Sequence, residues 1–485
     1  MTLRTTLAAA ALAAAAVSSH ARAQGTYEVR APLPAGMSAR EAAQAATLRH
    51  LQNLIRINTE NPPGNELRTA MYFDSVLKSV PGVETHVLES APGRANFVAR
   101  LRAARPTKRP VLVMGHMDVV GADTSKWETD PFVPTLRDDG YLYGRGAIDD
   151  KGMLAATLTA LLDLARQRDR LTRDVIFFAT AGEEGGPSVG VDWVMEHHRA
   201  LVGDAEFALN EGGRVRVEEG RIRTVNVQTT EKVYYTVVGT ATGPSGHGSV
   251  PLPNNSLAAL ARAVARVHAW KAPVRLNETT RLYFQRLATI ERDPALKAAM
   301  ERLTAPGAAP AEVDAAAEVL SRAPLHNAVL RTGASLTLLD GGFRENVIPS
   351  EGKATFNVRV LPGEDPREIL GLIRAAAGEP QVAWELGNEP TPAPPPSPVG
   401  TDLFRAMEGA AQAMAPGVVV LPFMSTGATD GAVLRAAGIP TYGILPMPLP
   451  MEDELRMHGD NERVPVAALG WATEYLYRVL AGVAR

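Results

Sequence analysis

Val111-Leu112-Val113-Met114-Gly115-His116-Met117-Asp118 is the stretch that decides the fold. Four consecutive apolar residues, two of them β-branched, read as a short strand buried on both faces. Such strands belong to parallel sheets covered by helices on each side. The run ends in glycine and histidine, with an aspartate two residues further on. In open α/β sheets, ligands bind at the carboxyl ends of the strands. Asp118 is placed to accept the second imidazole N–H of His116, the kind of partner that fixes the tautomer of a metal-binding histidine. A His-x-Asp on its own is more often a polar turn, so the rest of the chain has to decide.

Outward from that strand, helical and extended patterns alternate. Residues 40–57 predict a helix capped by Ser38, and 96–101 a buried strand. Residues 151–166 predict an amphipathic helix with Leu154, Leu158, Leu161 and Leu162 on one side. A β-branched and aromatic strand follows at 175–179, a helix at 191–200 and a short strand at 206–209. Strands alternating with helices predict an α/β domain with a mostly parallel sheet. Near Lys232 the rhythm changes. Strand 233–238, helix 255–270, strands 334–339 and 353–360, helix 366–377 and strand 381–386 give the β-α-β-β-α-β order of a ferredoxin-like unit. An Ala-rich helical insertion occupies about 275–330, and the proline-dense segment 390–398 reads as a stiff linker. The expected plan is one α/β domain, 24–227 and 391–485, interrupted by a smaller α+β lid, 228–390.

The chain has 485 residues, 45% hydrophobic and 21% charged, and is expected to bury a substantial core. Its 50 basic and 53 acidic residues carry no bias toward nucleic acid or an anionic membrane as partner. There are no cysteines, which excludes disulfides, thiolate metal sites and a cysteine nucleophile. Any metal must be held by His, Asp or Glu. At the N-terminus, Arg4, an apolar run from Leu7 to Val17, and Ala21-Arg22-Ala23 form the pattern of a secretory signal peptide spanning 1–23. A periplasmic or secreted mature protein is the expectation.

Of ten histidines, three stand in Gly-rich or polar segments: His116, His247 and His458. The carboxylates cluster in the same kind of place. Gly144-Arg145-Gly146-Ala147-Ile148-Asp149-Asp150-Lys151-Gly152 precedes a helix that Asp150 is placed to cap, and a carboxylate shared between two cations can use Asp149. Strand 175–179 runs into Gly182-Glu183-Glu184. Adjacent carboxylates there repel unless something positive lies between them, and one can ligate while the other handles a proton. Strand 206–209 runs into Asn210-Glu211-Gly212-Gly213. Met457-His458-Gly459-Asp460-Asn461-Glu462 lies near the C-terminus.

Taken together, these segments resemble the M20 metallopeptidase family of co-catalytic zinc carboxypeptidases, aminoacylases and deacylases. Ser245-Gly246-His247-Gly248-Ser249 and Asn346-Val347-Ile348-Pro349 extend the resemblance into the lid. The long insertion resembles the carboxypeptidase S-like branch. The resemblance implies two divalent metal ions, Zn²⁺ first, with Mn²⁺ or Co²⁺ able to use the same donors. One is held by His116, Asp149 and Glu211, the other by Asp149, Glu184 and His458. It implies a metal-bridged hydroxide with Glu183 as general base, Asp118 beside His116, and His247 as oxyanion donor. It also implies that Asn346 and Arg359 bind substrate, the latter through the free carboxylate, and that the Ser425–Asp430 loop, including Thr429, lines the pocket through backbone N–H groups. The implied activity is cleavage of an amide next to a free α-carboxylate, as a carboxypeptidase or dipeptidase. The alternative is an N-acyl-amino-acid deacylase. A non-catalytic metal-containing binding protein would have no use for Glu183. The implied partners are a small peptide or N-acyl amino acid, and a second copy through the lid.

Overall fold

The computed structural model describes residues 38–186, 188–389 and 393–485. The expected signal peptide and part of the expected linker lie outside these residues. The larger sheet has eight strands in the order Val83–Ala91, Arg94–Leu101, Val175–Thr180, Val111–His116, Phe207–Glu218, Thr441–Pro450, Arg221–Glu231, Val419–Ser425. The four strands from Val175–Thr180 to Thr441–Pro450 are parallel neighbours, and antiparallel pairs flank them. Side-chain alternation explains why the central strands are apolar throughout. Val111 and Val113 enter one core with the helices Ala39–Arg56, Lys151–Ala165 and Val466–Ala484. Leu112 and Met114 enter a second core on the opposite face, with Val191, Val194 and Leu434. Each face is covered, so neither set of side chains can be polar.

Ser38 caps the first helix as expected, and Glu41 completes a capping box with it. Two strands that the sequence pattern left unread, Val83–Ala91 and Arg221–Glu231, carry polar residues at alternate or terminal positions. The segment expected as a short strand at 206–209 runs on to Glu218, because its second half pairs with Arg221–Glu231 across a tight turn.

The smaller sheet has the order Gly333–Gly341, Glu351–Val360, Val233–Thr242, Val382–Leu386, all antiparallel. Helices Ser256–Ala269 and Pro366–Ala377 pack on one face through Leu260, Val267, Ile369 and Ile373. This is the split β-α-β-β-α-β arrangement. The insertion forms four helices, Glu278–Ala288, Pro294–Thr304, Pro310–Leu320 and Pro324–Leu330. Their core is separate from that of the small sheet. It includes Leu421, Phe423 and Met424 of the large sheet's edge strand, and Leu361 just past the strand Glu351–Val360. The insertion therefore rests against both sheets. No described helix is long and apolar enough to cross a membrane.

Candidate metal centre and active site

Strand direction assembles the site. Val111–His116 runs parallel to Val175–Thr180 with His116 opposite Thr180, and parallel to Phe207–Glu218 with Val113 opposite Leu209. His116, the Glu183-Glu184 turn and Glu211 thus arrive at one edge of the sheet. Asp149 enters from the segment before helix Lys151–Ala165, and His458 from the loop after helix Met451–Glu454.

The two oxygens of Asp149 face different histidines. Oδ1 lies 3.0 Å from His116 Nε2, and Oδ2 lies 3.1 Å from His458 Nε2. Glu184 Oε1 is 3.2 Å from His458 Nε2; this atom is buried and accepts no hydrogen bond of good geometry. Donor atoms of His116, Asp149 and Glu184 lie within 4.8 Å of one another. Glu211 is buried and lines the same cavity. Burial pushes the Asp149 carboxyl up, but its bonds to His116 and His458 prevail and hold it well below its ordinary range. The His458 imidazole is pushed up to about 10 by Asp149 and Glu184. Burial raises Glu211, with Glu183 and Asp149 adding to it. Burial also raises Glu183 to about 9, helped by Asp430, Glu184 and Asp149. Buried acids this crowded hold protons unless cations sit among them. Imidazole nitrogens, an orphaned carboxylate oxygen and a carboxylate with one oxygen toward each histidine fit a pair of divalent cations sharing Asp149.

Asp118 behaves differently from the expectation. Its carboxylate is 3.8 Å from His116 Nδ1, which instead lies 2.9 Å from the Asp118 backbone carbonyl. The carboxylate accepts the backbone N–H groups of Glu183 and Glu184, each at 3.1 Å, and Asn61 Nδ2 at 2.8 Å. Three N–H donors outcompete one imidazole, so the side chain shapes the Glu183-Glu184 turn while the main chain orients the histidine. Asp150 also departs from its expected role. It occupies the N-cap position but makes no capping bond, and its side chain is turned against Gly115, where an added Cβ would meet Oδ2 at 2.1 Å.

Two positions outside the expected set hold the ligand loops together. Glu462 is fully buried and accepts Arg145 Nη1 at 2.9 Å. It also accepts the backbone N–H groups of Gly146, Ile148 and Asp149 at 3.0, 2.7 and 3.2 Å. It ties the Asp149 segment to the His458 loop, whose histidine has a left-handed φ of 60°. The only sequence signal was its place four residues after His458. Asn61 bonds Asp118 and the Gly185 carbonyl, at 2.8 and 2.6 Å; nothing in its local sequence marks it.

The metal-type donors line a cavity of about 580 Å³, together with Glu183, Arg214, Arg216, Tyr234, Leu325, Arg359, Phe423, Met457 and residues 425–429. Arg359 donates Nε–H to Asn357 Oδ1 at 3.0 Å and stacks 4.9 Å from the Tyr234 ring centre. Among the described residues nothing bonds its terminal amino groups. Thr429 lines the cavity, but its N–H and hydroxyl are both directed to Glu231, at 3.2 and 2.8 Å, so its N–H is not turned to a substrate. His247 and Asn346 are brought together with each other and not with the cavity. The bridge Gly246–His247 pairs with Val347–Ile348, and Gly248 N–H bonds the Asn346 carbonyl at 2.8 Å. His247 is exposed, with Nδ1 accepting the Ser249 N–H and hydroxyl at 3.1 and 2.8 Å.

Sheet and cluster together define a class: an α/β protein with a metal-type donor set at the carboxyl edge of its parallel strands. The chain belongs to peptidase family M20/M25/M40, whose family model matches residues 112–482. The N-fatty-acyl-amino acid synthase/hydrolase of Homo sapiens is 27% identical over 394 residues, covering 78% of this chain and 75% of its own. A probable carboxypeptidase S-like protein of Dictyostelium discoideum is 29% identical over 430 residues, covering 84% and 78%. Among solved structures, an M20 family metallo-carboxypeptidase of Sulfolobus solfataricus superimposes with a TM-score of 0.65 at 20% identity, covering 92% of this chain and 99% of that one.

Proposed function

We propose that the protein hydrolyses an amide bond next to a free α-carboxylate. The observation that carries this reading is that Arg359 lines the same cavity as His116, Asp149, Glu183, Glu184, Glu211 and His458. A guanidinium with its terminal amino groups directed to no protein partner suits a carboxylate in bidentate fashion. Bound by those donors, two divalent ions would lower the pKa of water and polarise the amide carbonyl. We assign them as Zn²⁺, with Mn²⁺ or Co²⁺ as alternatives that the same donors accept. Glu183 is free of ligand duty. It takes a proton from the attacking water and delivers it to the leaving nitrogen. The water oxygen joins the carbonyl carbon, the C–N bond breaks, and the products are a carboxylic acid and a free amine. His247 completes the reaction by donating to the carbonyl oxygen, and it must reach the cavity to do so.

A peptidase and an N-acyl-amino-acid deacylase share this chemistry and differ only in the acyl group. The named activity of the human relative favours the deacylase reading. The test is a panel of C-terminally free dipeptides and N-acyl amino acids, each paired with its C-terminal amide, assayed with purified metal-loaded protein. The reading predicts turnover of free acids and little of amides. Equal turnover of both would remove Arg359 from its role.

The Ala21-Arg22-Ala23 pattern supports export with cleavage after Ala23, which N-terminal sequencing of the mature protein tests. The exposed Leu336, Leu338 and Leu339 on edge strand Gly333–Gly341 support a homodimer through the small sheet. Sedimentation of wild type against Leu338→Lys tests it, dimer against monomer being the expected result.

A further inference from the structure

We propose that Arg214 and Arg216 form a second anion subsite in the cavity, so that the amide substrate carries a second carboxylate besides the one assigned to Arg359. This rests on the amide-hydrolase reading above. Both arginines lie on the strand that delivers Glu211, three and five residues beyond it. Side chains alternate along a strand, so positions 214 and 216 share one face. Val215 between them turns the other way, into the large core. The pleat thus sends two guanidiniums to one side, and both line the cavity with the metal-type donors. Glu454, at the end of helix Met451–Glu454, meets them there. Its Oε1 lies 3.2 Å from Arg216 Nη2 and 3.4 Å from Arg214 Nε.

Two observations leave this pair short of negative charge. The first is hydrogen bonding. One carboxylate oxygen serves both arginines. Arg214 Nη1 donates to the carbonyls of Gly212 and Gly213 at 2.8 and 2.9 Å, which holds the side chain in place without neutralising it. Its Nε is buried and makes no hydrogen bond of good geometry. Arg216 Nη1 meets the Met451 sulfur, a weak acceptor, at 3.8 Å. Among the described residues nothing bonds Arg214 Nη2 or Arg216 Nε. The second is charge balance. Five carboxylates line the cavity, and four of them, Asp149, Glu183, Glu184 and Glu211, are answered by the two divalent ions that the donor set fits. Glu454 answers one arginine of the pair, and a substrate α-carboxylate answers Arg359. One guanidinium remains without a counter-charge. With side chains 20% exposed, both arginines are largely removed from water. A cation so placed is destabilising until it is paired, and a planar fork with free N–H groups suits a carboxylate. An anionic group on the substrate supplies that partner. A brace for the Met451–Glu454 helix would be served by one arginine.

The second carboxylate has two sources, the side chain of the released amino acid or the acyl group, and the experiment separates them. It measures kcat/KM of the metal-loaded protein for N-acetyl-glutamate against N-acetyl-glutamine, and for N-succinyl-phenylalanine against N-butanoyl-phenylalanine. In one pair the acid should exceed its neutral counterpart by about 10-fold or more, and the pair that shows it identifies the source. Arg214→Gln and Arg216→Gln should each bring that ratio down toward unity, and Arg216→Lys, which keeps the charge, should retain part of it. Calorimetric binding of the same four compounds to metal-loaded Glu183→Gln protein reads the preference without turnover. No preference for the acid in either pair, equal affinities in the calorimeter, or a ratio unmoved in both glutamine variants would overturn the subsite and leave the amide-hydrolase reading standing. Turnover of none of the four would overturn both.

Discussion

His116 and His247 are both preceded by glycine and both lie beside a strand, yet the structure treats them in opposite ways. His116 is 2% exposed, with Nε2 on Asp149 and Nδ1 on the Asp118 carbonyl. His247 is exposed on a two-residue bridge, and its ring bonds Ser249. On the proposed function, the difference separates two halves of one site. The metal-type donors are complete within one domain and determined several times over, through Glu462, Asp118 and Asn61. The histidine that the proposal assigns to the oxyanion is outside the cavity and would have to be carried to it, by lid movement or by a second subunit.

The largest effects should come from the buried half. Chelation should abolish turnover. At pH 7 the metal-free site should hold protons, because His458 is pushed up to about 10 and must become neutral to ligate. Zinc added to metal-free protein in weak buffer should therefore release protons, and affinity should fall as pH falls. Zinc uptake without acidification would contradict that picture. Glu183→Gln should keep metal content by elemental analysis while kcat drops ~10²–10⁴-fold. Loss of a metal instead would mean that Glu183 and Glu184 had exchanged roles.

The exposed half should give a smaller loss. His247→Ala should lower kcat ~10²–10³-fold, with metal content intact. Mixing inactive His247→Ala with inactive Glu183→Gln protein sharpens the comparison. Recovered activity places His247 in a neighbouring subunit's site. No recovery, with subunit exchange shown, places it in its own, and an unchanged kcat in His247→Ala would break the comparison altogether. The smallest effect should come from Glu462→Gln, which loosens the ligand loops without removing a ligand. A metal affinity lowered by about 10–100-fold is expected, and unaltered binding would deny Glu462 its tie between the two loops.

Much of this was legible in the chain because apolar strands flow directly into the functional residues. Val111 to His116 announces its burial and its chemistry in six letters, and 175–184 does the same. The small sheet was legible for a related reason, the alternation of Ala354, Phe356, Val358 and Val360. What was not legible depends on partners distant in sequence. The bonding of Asp118 to Glu183 and Glu184 spans 65 and 66 residues, and that of Glu462 to the Asp149 segment more than 300. Side-chain rotamers at such junctions are set by competition among donors, as the unfulfilled cap at Asp150 also shows. The insertion could be read as helical from its alanines, but not that Leu325 would face the cavity.

The central claim is that Asp149 joins two metal sites, one oxygen toward each histidine. Metal stoichiometry of wild type and Asp149→Ala, measured side by side on folded protein after removal of free ions, tests it most directly. Two ions per chain in the wild type, with both sites weakened together in the variant, is the predicted result. A wild type with one tight ion, retained undiminished by Asp149→Ala, would contradict the account.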